Sequence, residues 1–157
     1  MSKLMIAIMY SDNLVYEECK IELTKLFGEI EKESNKYDFD KFTSYYEKEM
    51  GKGIVKRFLI FKKQVNKQDL KEIKLKTTEI EKKHSKDDKR TINLDPGYLS
   101  KDELVLASFK KGSNYKEDLG DGIYAHKVLE FKDDKAIELW HTFPDYKEKK
   151  ELFLDYI

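Results

Sequence analysis

Leu4-Met5-Ile6-Ala7-Ile8-Met9 is apolar at every position. A strand with one wet face would alternate, so this stretch predicts a strand covered on both sides. Ser11-Asp12 then offers N-cap chemistry. Leu14, Val15, Cys19, Leu23, Leu26 and Phe27 recur at helical spacing until Gly28 stops the run. A weaker, mostly polar strand reads from 29 to 39, as an edge strand would. Residues 40–52 form a connector rich in aromatic and charged side chains, and Val55 to Phe61 is a second continuous apolar strand. Asn66 and Asp69 start another helix, carried by Leu70, Ile73, Thr77 and Ile80 and ended by the charge-rich 82–90 segment. Arg90 to Leu94 reads as a short fourth strand.

That order, β-α-β-β-α-β, predicts an α+β protein with a ferredoxin-like core. The two strands apolar throughout would be central, the two polar ones would be edges, and right-handed crossovers would put both helices on one face. Leu104 to Ser108, Ile123 to Phe131 and Ala136 to Trp140 add C-terminal strands, with Lys132-Asp133-Asp134-Lys135 as a hairpin turn. Thr142, Pro144 and Asp145 suggest a capped terminal helix through Ile157, with Leu152, Phe153 and Tyr156 as its buried stripe.

Composition bounds the function. At 157 residues the chain reads as a single domain, 1–157, with room for a core. Lys+Arg and Asp+Glu stand at 31 each, and this balance disfavours a general nucleic-acid binder, which carries a basic excess. Cys19 is the only cysteine, which removes intrachain disulfides and Cys-rich zinc patterns. No signal-peptide pattern and no apolar run of about 20 residues occurs, so a cytoplasmic protein with no membrane partner is expected.

Both prolines and three of the glycines fall in three clusters bearing Asp and Tyr: Asn93-Leu94-Asp95-Pro96-Gly97-Tyr98, Gly120-Asp121-Gly122-Ile123-Tyr124 and Phe143-Pro144-Asp145-Tyr146. Asp95-Pro96-Gly97 is strong turn chemistry, because Pro presets the first turn position and Gly accepts positive φ. Gathered in space, the clusters would make a shared polar pocket; kept apart, they are three turns. Only Arg57 and Arg90 are arginine in this lysine-rich chain, which suggests positions that need a planar fork. With the connector folded over the sheet, Glu49, Arg57, Asp95 and Asp121 could converge. Arg57 would grip a carboxylate or phosphate, and Asp95 would be the best base.

Other motifs carry less. Asn66-Lys67-Gln68-Asp69 matches a guanine-reading pattern, but no Gly-x-x-x-x-Gly-Lys-Ser/Thr loop is present, and Asn66 has a plainer role as helix N-cap. Gly51-Lys52-Gly53 reads as a turn. His84 reads as solvated, while His126 and His141 could approach Asp121 or Asp145. No i, i+3 or i, i+4 His/Glu pairing supports a metal, so none is expected. Cys19 lies on an apolar helix face and no Gly-x-Ser-x-Gly elbow exists, which leaves Ser or Cys nucleophilic catalysis unsupported.

Tyr45-Tyr46-Glu47-Lys48-Glu49-Met50-Gly51, Glu72-Ile73-Lys74-Leu75-Lys76-Thr77, Asn93 to Tyr98 followed by Leu104-Val105-Leu106-Ala107-Ser108, Asp121-Gly122-Ile123-Tyr124-Ala125 and Pro144-Asp145-Tyr146 together resemble the domain of unknown function 4416 family. The resemblance spans essentially the whole chain. It implies no particular activity, although some members carry a GTP-binding label. Members often have an acidic residue after Ala125, where this chain has His126.

The expectation is therefore a small polar ligand, anionic or phosphorylated and a nucleotide included, held without a P-loop by Tyr46, Glu49, Arg57, Asp95, Tyr98, Asp121 and Tyr124. Asp95 and Asp121 are the best catalytic candidates if chemistry follows binding. The rivals are a non-enzymatic interaction module using the sheet face and the 40–52 connector, and RNA binding across an open sheet face. Cofactor identity, enzymatic status and oligomeric state are not legible in the residues.

Overall fold

The apolar strand at the N-terminus lies in the middle of an antiparallel sheet. A computed structural model describes residues 2–109 and 116–157. The strands are β1 (Lys3–Tyr10), β2 (Ile30–Glu33), β3 (Tyr37–Asp38), β4 (Val55–Gln64), β5 (Ile92–Leu99), β6 (Glu103–Ser108), β7 (Lys116–Gly120), β8 (Ile123–Lys132) and β9 (Lys135–Glu138). The helices are α1 (Asn13–Phe27), α2 (Glu47–Met50), α3 (Leu70–Lys83) and α4 (Pro144–Lys149), with 3-10 turns at Lys67–Asp69 and Lys150–Tyr156. The protein is α+β, its described strands forming one open sheet in the order β2-β4-β1-β5-β6-β8-β7, with β3 beside β4 and β9 beside β8.

β1 pairs antiparallel with β4 on one side and β5 on the other, Ile8 facing Arg57 and Leu94. Leu4, Ile6, Ile8 and Tyr10 point to the face carrying α1 and α3, and they pack with Tyr16, Cys19, Leu23, Leu70 and Ile73. Met5 and Ala7 point the other way, against Phe58, Tyr146 and Phe153, while Met9 joins Met50 of the connector and Phe39 and Ile54 at its two ends. The unbroken apolar run is thus explained, since helices cover one face and the connector and C-terminus the other. Each large side chain buried this way contributes roughly 1.5–3 kcal/mol.

Helix starts follow the sequence. The Asp12 carboxylate accepts from Leu14 N–H, and Asn66 and Asp69 form a reciprocal capping box. Asp133 and Asp134, with φ of 53° and 57°, make the β8–β9 hairpin turn, whose two central residues both need positive φ.

Four expectations need correction. The 29–39 stretch is two strands, β2 and β3, interrupted at Ser34, whose backbone N–H donates to Phe58 O while its hydroxyl accepts from Phe58 N–H. β7 is an additional strand, missed because Lys116-Glu117-Asp118-Leu119-Gly120 is polar and lies at the edge. The terminal helix is one short α-helix followed by a 3-10 turn. Thr142 does not cap it, because its hydroxyl accepts from Leu139 N–H and donates to Val128 O.

The fourth concerns Asp95-Pro96-Gly97. It is no turn but the middle of β5, which is flanked by β1 and β6 and is therefore not an edge either. β6 pairs with β5 only at Gly97–Leu99. The Leu94 N–H and the Pro96 nitrogen point to the β6 side, at the margin where β5–β6 pairing stops, so the amide that proline lacks is missing from the end of that ladder and not from its middle. Gly97 lets β6 approach closely: a Cβ there would meet the Val105 carbonyl oxygen at 2.0 Å.

Candidate functional site

The stretch of β5 that β6 leaves unpaired sets up the site. Its Leu94 peptide would present an unsatisfied donor and acceptor at a sheet edge. Lys74 and Glu81, seven residues apart on one stripe of α3, close that edge with side chains. Glu81 Oε2 accepts from Leu94 N–H at 2.6 Å, and Lys74 Nζ donates to Leu94 O at 3.2 Å. Burial pushes the Glu81 carboxyl up to about 7, against the opposing pull of Lys74, the Leu94 N–H and Arg90.

Arg90 stands just before β5, where the connector crosses. Its Nε and Nη2 donate to the two Glu49 carboxylate oxygens at 2.7 and 2.9 Å, and its backbone N–H adds a bond of 3.2 Å to Oε2. Three donors thus gather on one carboxylate, and they hold Glu49 below the usual carboxylate range. The Arg90 Nη1 donates to Asn93 Oδ1 at 2.6 Å, and Asn93 Nδ2 donates to Asp95 Oδ2 at 2.9 Å. Lys74 Nζ lies 3.8 Å from Asp95 Oδ1, so that oxygen is left outside hydrogen-bond range of it.

On the same side of the sheet, β4 carries Lys56 into the core. Lys56 Nζ donates to Asp145 Oδ2 at 2.8 Å, and the two side chains are 5% and 4% exposed. Tyr37 Oη donates to the same oxygen at 2.7 Å. The ammonium also faces the rings of Tyr146 and Phe39, 4.5 and 5.0 Å from their centroids. Tyr146, only 1% exposed, has a hydroxyl with no hydrogen-bond partner among the described residues. Burial raises its pKa well above that of a free phenol, and the negative charges of Asp145 and Asp95 and the Tyr46 hydroxyl add to the rise. Burial, with Asp95 next, also pushes Tyr46 up to about 12. Both phenols therefore stay protonated and able to donate.

The structure brings Tyr46, Glu49 and Asp95 together and sends the other expected residues elsewhere. Arg57 does not join Glu49. Alternation along β4 turns Lys56 and Phe58 to the connector side and Arg57 to the helix side, where Nε and Nη2 donate to Ser34 O at 3.2 and 3.0 Å. Tyr98 shares the helix-side face with Leu94 and donates its hydroxyl to Glu103. Asp121 occupies the β7–β8 turn, 60% exposed, and pairs with Lys71 at 3.1 Å. Tyr124 lies on β8 under Lys116 Nζ, 5.2 Å from its ring centroid. The convergence of Glu49, Arg57, Asp95 and Asp121 is therefore not realised.

Lys56, Lys74, Glu81 and Arg90 were missed as members of this site, while Asn93, Asp145 and Tyr146 were singled out with their clusters but not among the expected ligand-binding residues. Arg90 and the Pro144-Asp145-Tyr146 cluster had a signal in their rarity. Lys56 and Lys74 had none, being lysines among many. His84 is not solvated: its side chain is 10% exposed and its Nε2 lies 2.8 Å from Glu22 Oε1. The His141 Nε2 bonds the Lys127 carbonyl at 2.8 Å. Burial pushes the Cys19 thiol up to about 12, far from a reactive thiolate. Among the described residues, no group of three or more His, Cys, Asp or Glu is placed to hold a metal ion. No described helix is long and apolar enough to cross a membrane. A separate cleft of about 300 Å³, walled by Lys67, Lys116, Lys127, Glu103 and Glu117, lies on the helix side of β6–β8.

Compared with known proteins, residues 1–155 match the profile of a family described as Domain of unknown function (DUF4416). No curated protein and no solved structure matches.

Proposed function

The chain belongs to the DUF4416 family, and we propose that it binds a small anionic or phosphorylated ligand, hydroxyl-bearing and a nucleotide included, without a P-loop. The seam between the connector and α4 is where the ligand sits. The observation that carries this reading is the Tyr146 hydroxyl, buried, protonated and unpartnered among the described residues, within the field of Asp95. An unmade buried hydrogen bond forfeits roughly 1–3 kcal/mol, which a ligand acceptor would restore. Asp95 Oδ1 accepts and the phenols donate, so together they suit a hydroxyl. Lys56, Lys74 and Arg90 border the seam and favour an anionic group.

We also read β2-β4-β1-β5 with α1 and α3 as a ferredoxin-like core, extended by the C-terminal strands. The antiparallel pairings and the two helices on one face support this reading.

The test is calorimetric titration with ribose 5-phosphate, ribose and inorganic phosphate. Ribose 5-phosphate is expected to bind tighter than either fragment. Asp95→Asn and Tyr146→Phe are each expected to weaken it about tenfold. Equal binding by wild type and both variants would sink the reading. A non-enzymatic interaction module is the second reading, favoured by Tyr45 on the connector, which is 74% exposed. It predicts that Tyr45→Ala abolishes a protein contact while no small molecule binds the seam.

A further inference from the structure

We infer that Glu49 occupies, in the free protein, the subsite of the ligand's anionic group, and that a phosphate or carboxylate binds by taking Glu49's place on Arg90. This rests on the reading of the Asp95 seam as a ligand site and identifies which cation receives the charge.

Three cations border the seam, and access separates them. Lys56 and Asp145 are 5% and 4% exposed, and Lys74 is 7% exposed. An incoming anion would have to strip those pairs inside the core, where a buried charge left alone is heavily penalised. Arg90 and Glu49 are 32% and 33% exposed. Glu49 can swing into water and keep its hydration, so its departure leaves no orphaned charge.

The donor geometry suits a tetrahedral or planar oxyanion. Backbone N–H, Nε and Nη2 of Arg90 already converge on one carboxylate, while Nη1 is held by Asn93 Oδ1 and fixes the fork. Exchange of Glu49 for a carboxylate leaves the local charge balance unchanged, and a phosphate adds at most about one negative charge beside Arg90. Glu49 sits on a single helical turn followed by Gly51 and Gly53, at φ of 83° and 79°, which gives the segment soft points on its C-terminal side. The same Asn93 leads to Asp95, so an anion on Arg90 and a hydroxyl on Asp95 would belong to one ligand.

Arg57 and Arg90 are the only arginines, so two Nε–H resonances report the whole arginine content. In a phosphate titration followed by 1H–15N spectra, the Arg90 Nε–H and backbone N–H are expected to shift while Arg57 stays fixed. Glu49→Gln removes the competing charge and should tighten phosphate binding roughly tenfold, as relief of an internal competitor predicts. Acetate in place of phosphate distinguishes a carboxylate subsite from a phosphate subsite, and either one moving the Arg90 signals supports the exchange. Arg90→Lys, checked by its chemical-shift dispersion to be folded, should lose the effect. Phosphate and acetate that leave the Arg90 signals unmoved in Glu49→Gln would overturn the inference. If ribose 5-phosphate still binds in an Asp95-dependent way, the seam reading survives that failure.

Discussion

Lys56–Asp145 and Arg90–Glu49 lie on the same side of one sheet, each joining a strand region to a covering segment. The first ties β4 to α4, the second ties the approach to β5 to α2. Their bond lengths are alike, 2.8 Å against 2.7 Å, yet side-chain exposure is about 5% in one and about a third in the other. A sealed pair has had its charges stripped of water, so its partners depend on each other for solvation. An open pair exchanges protein contacts for water contacts at little net change. Equal geometry thus does not mean equal energy. The sealed pair belongs to folding, and the open pair is free to serve a ligand.

The largest expected effect tests the sealed pair. Lys56→Met leaves the Asp145 carboxylate buried with Tyr37 as its one remaining side-chain donor among the described residues, and about 3–5 kcal/mol of stability should be lost. Lys56→Met with Asp145→Leu should recover most of that loss, since neither charge then needs solvating. Glu49→Ala should change stability by no more than about 1 kcal/mol. Urea unfolding of all three variants checks the contrast. Similar losses for Lys56→Met and Glu49→Ala would erase the distinction between the pairs.

Glu81 lies between the two cases, buried like Lys56 yet linked to Arg90 at 3.8 Å. Its folded pKa of about 7 is raised above the unfolded value near 4.5. The folded state therefore binds the proton more tightly, and the associated stability is full below about pH 4.5. It is lost as pH rises through 7. The loss is about 3 kcal/mol, since each pKa unit is worth about 1.4 kcal/mol. Glu81→Gln keeps an acceptor for Leu94 N–H and removes the titration. Unfolding at pH 5 and pH 8 should show wild type weakening against the variant at the higher pH, and parallel behaviour would show that Arg90 and Lys74 keep Glu81 ionised.

What the residues disclosed, and what they withheld, follows the range of the forces involved. β1, α1, β4 and α3 were legible because periodicity and caps act within a few residues. Asp95-Pro96-Gly97 was misread because its meaning depends on where β6 begins pairing, a fact set by residues elsewhere in the chain. Glu49, Asp95 and Tyr46 were identified as neighbours from the connector's need for cover. Their cation was not, because Arg57 and Arg90 look equivalent until strand alternation sends one to each face. Lys56 alternates with Phe58 and Ile60 on the inward side of β4, a pattern that could have placed it in the core. Asp145, far along the chain, could not be assigned to it that way.

The smallest expected effect on stability is the most informative about the site. Tyr146→Phe removes a hydroxyl that has no partner among the described residues and keeps the ring packed on Phe58 and Phe153, 5.5 and 5.9 Å away by centroid. A buried phenol bonded within the fold would make this substitution cost about 1 kcal/mol, whereas an unbonded one makes it neutral or slightly stabilising. The sealed pair offers the internal contrast, because Tyr37→Phe deletes a donor to Asp145 and should cost more. Denaturant midpoints of the two variants rank them directly. If Tyr146→Phe is the more damaging, its hydroxyl is committed to the fold, and Tyr146 has no donor left to offer a ligand.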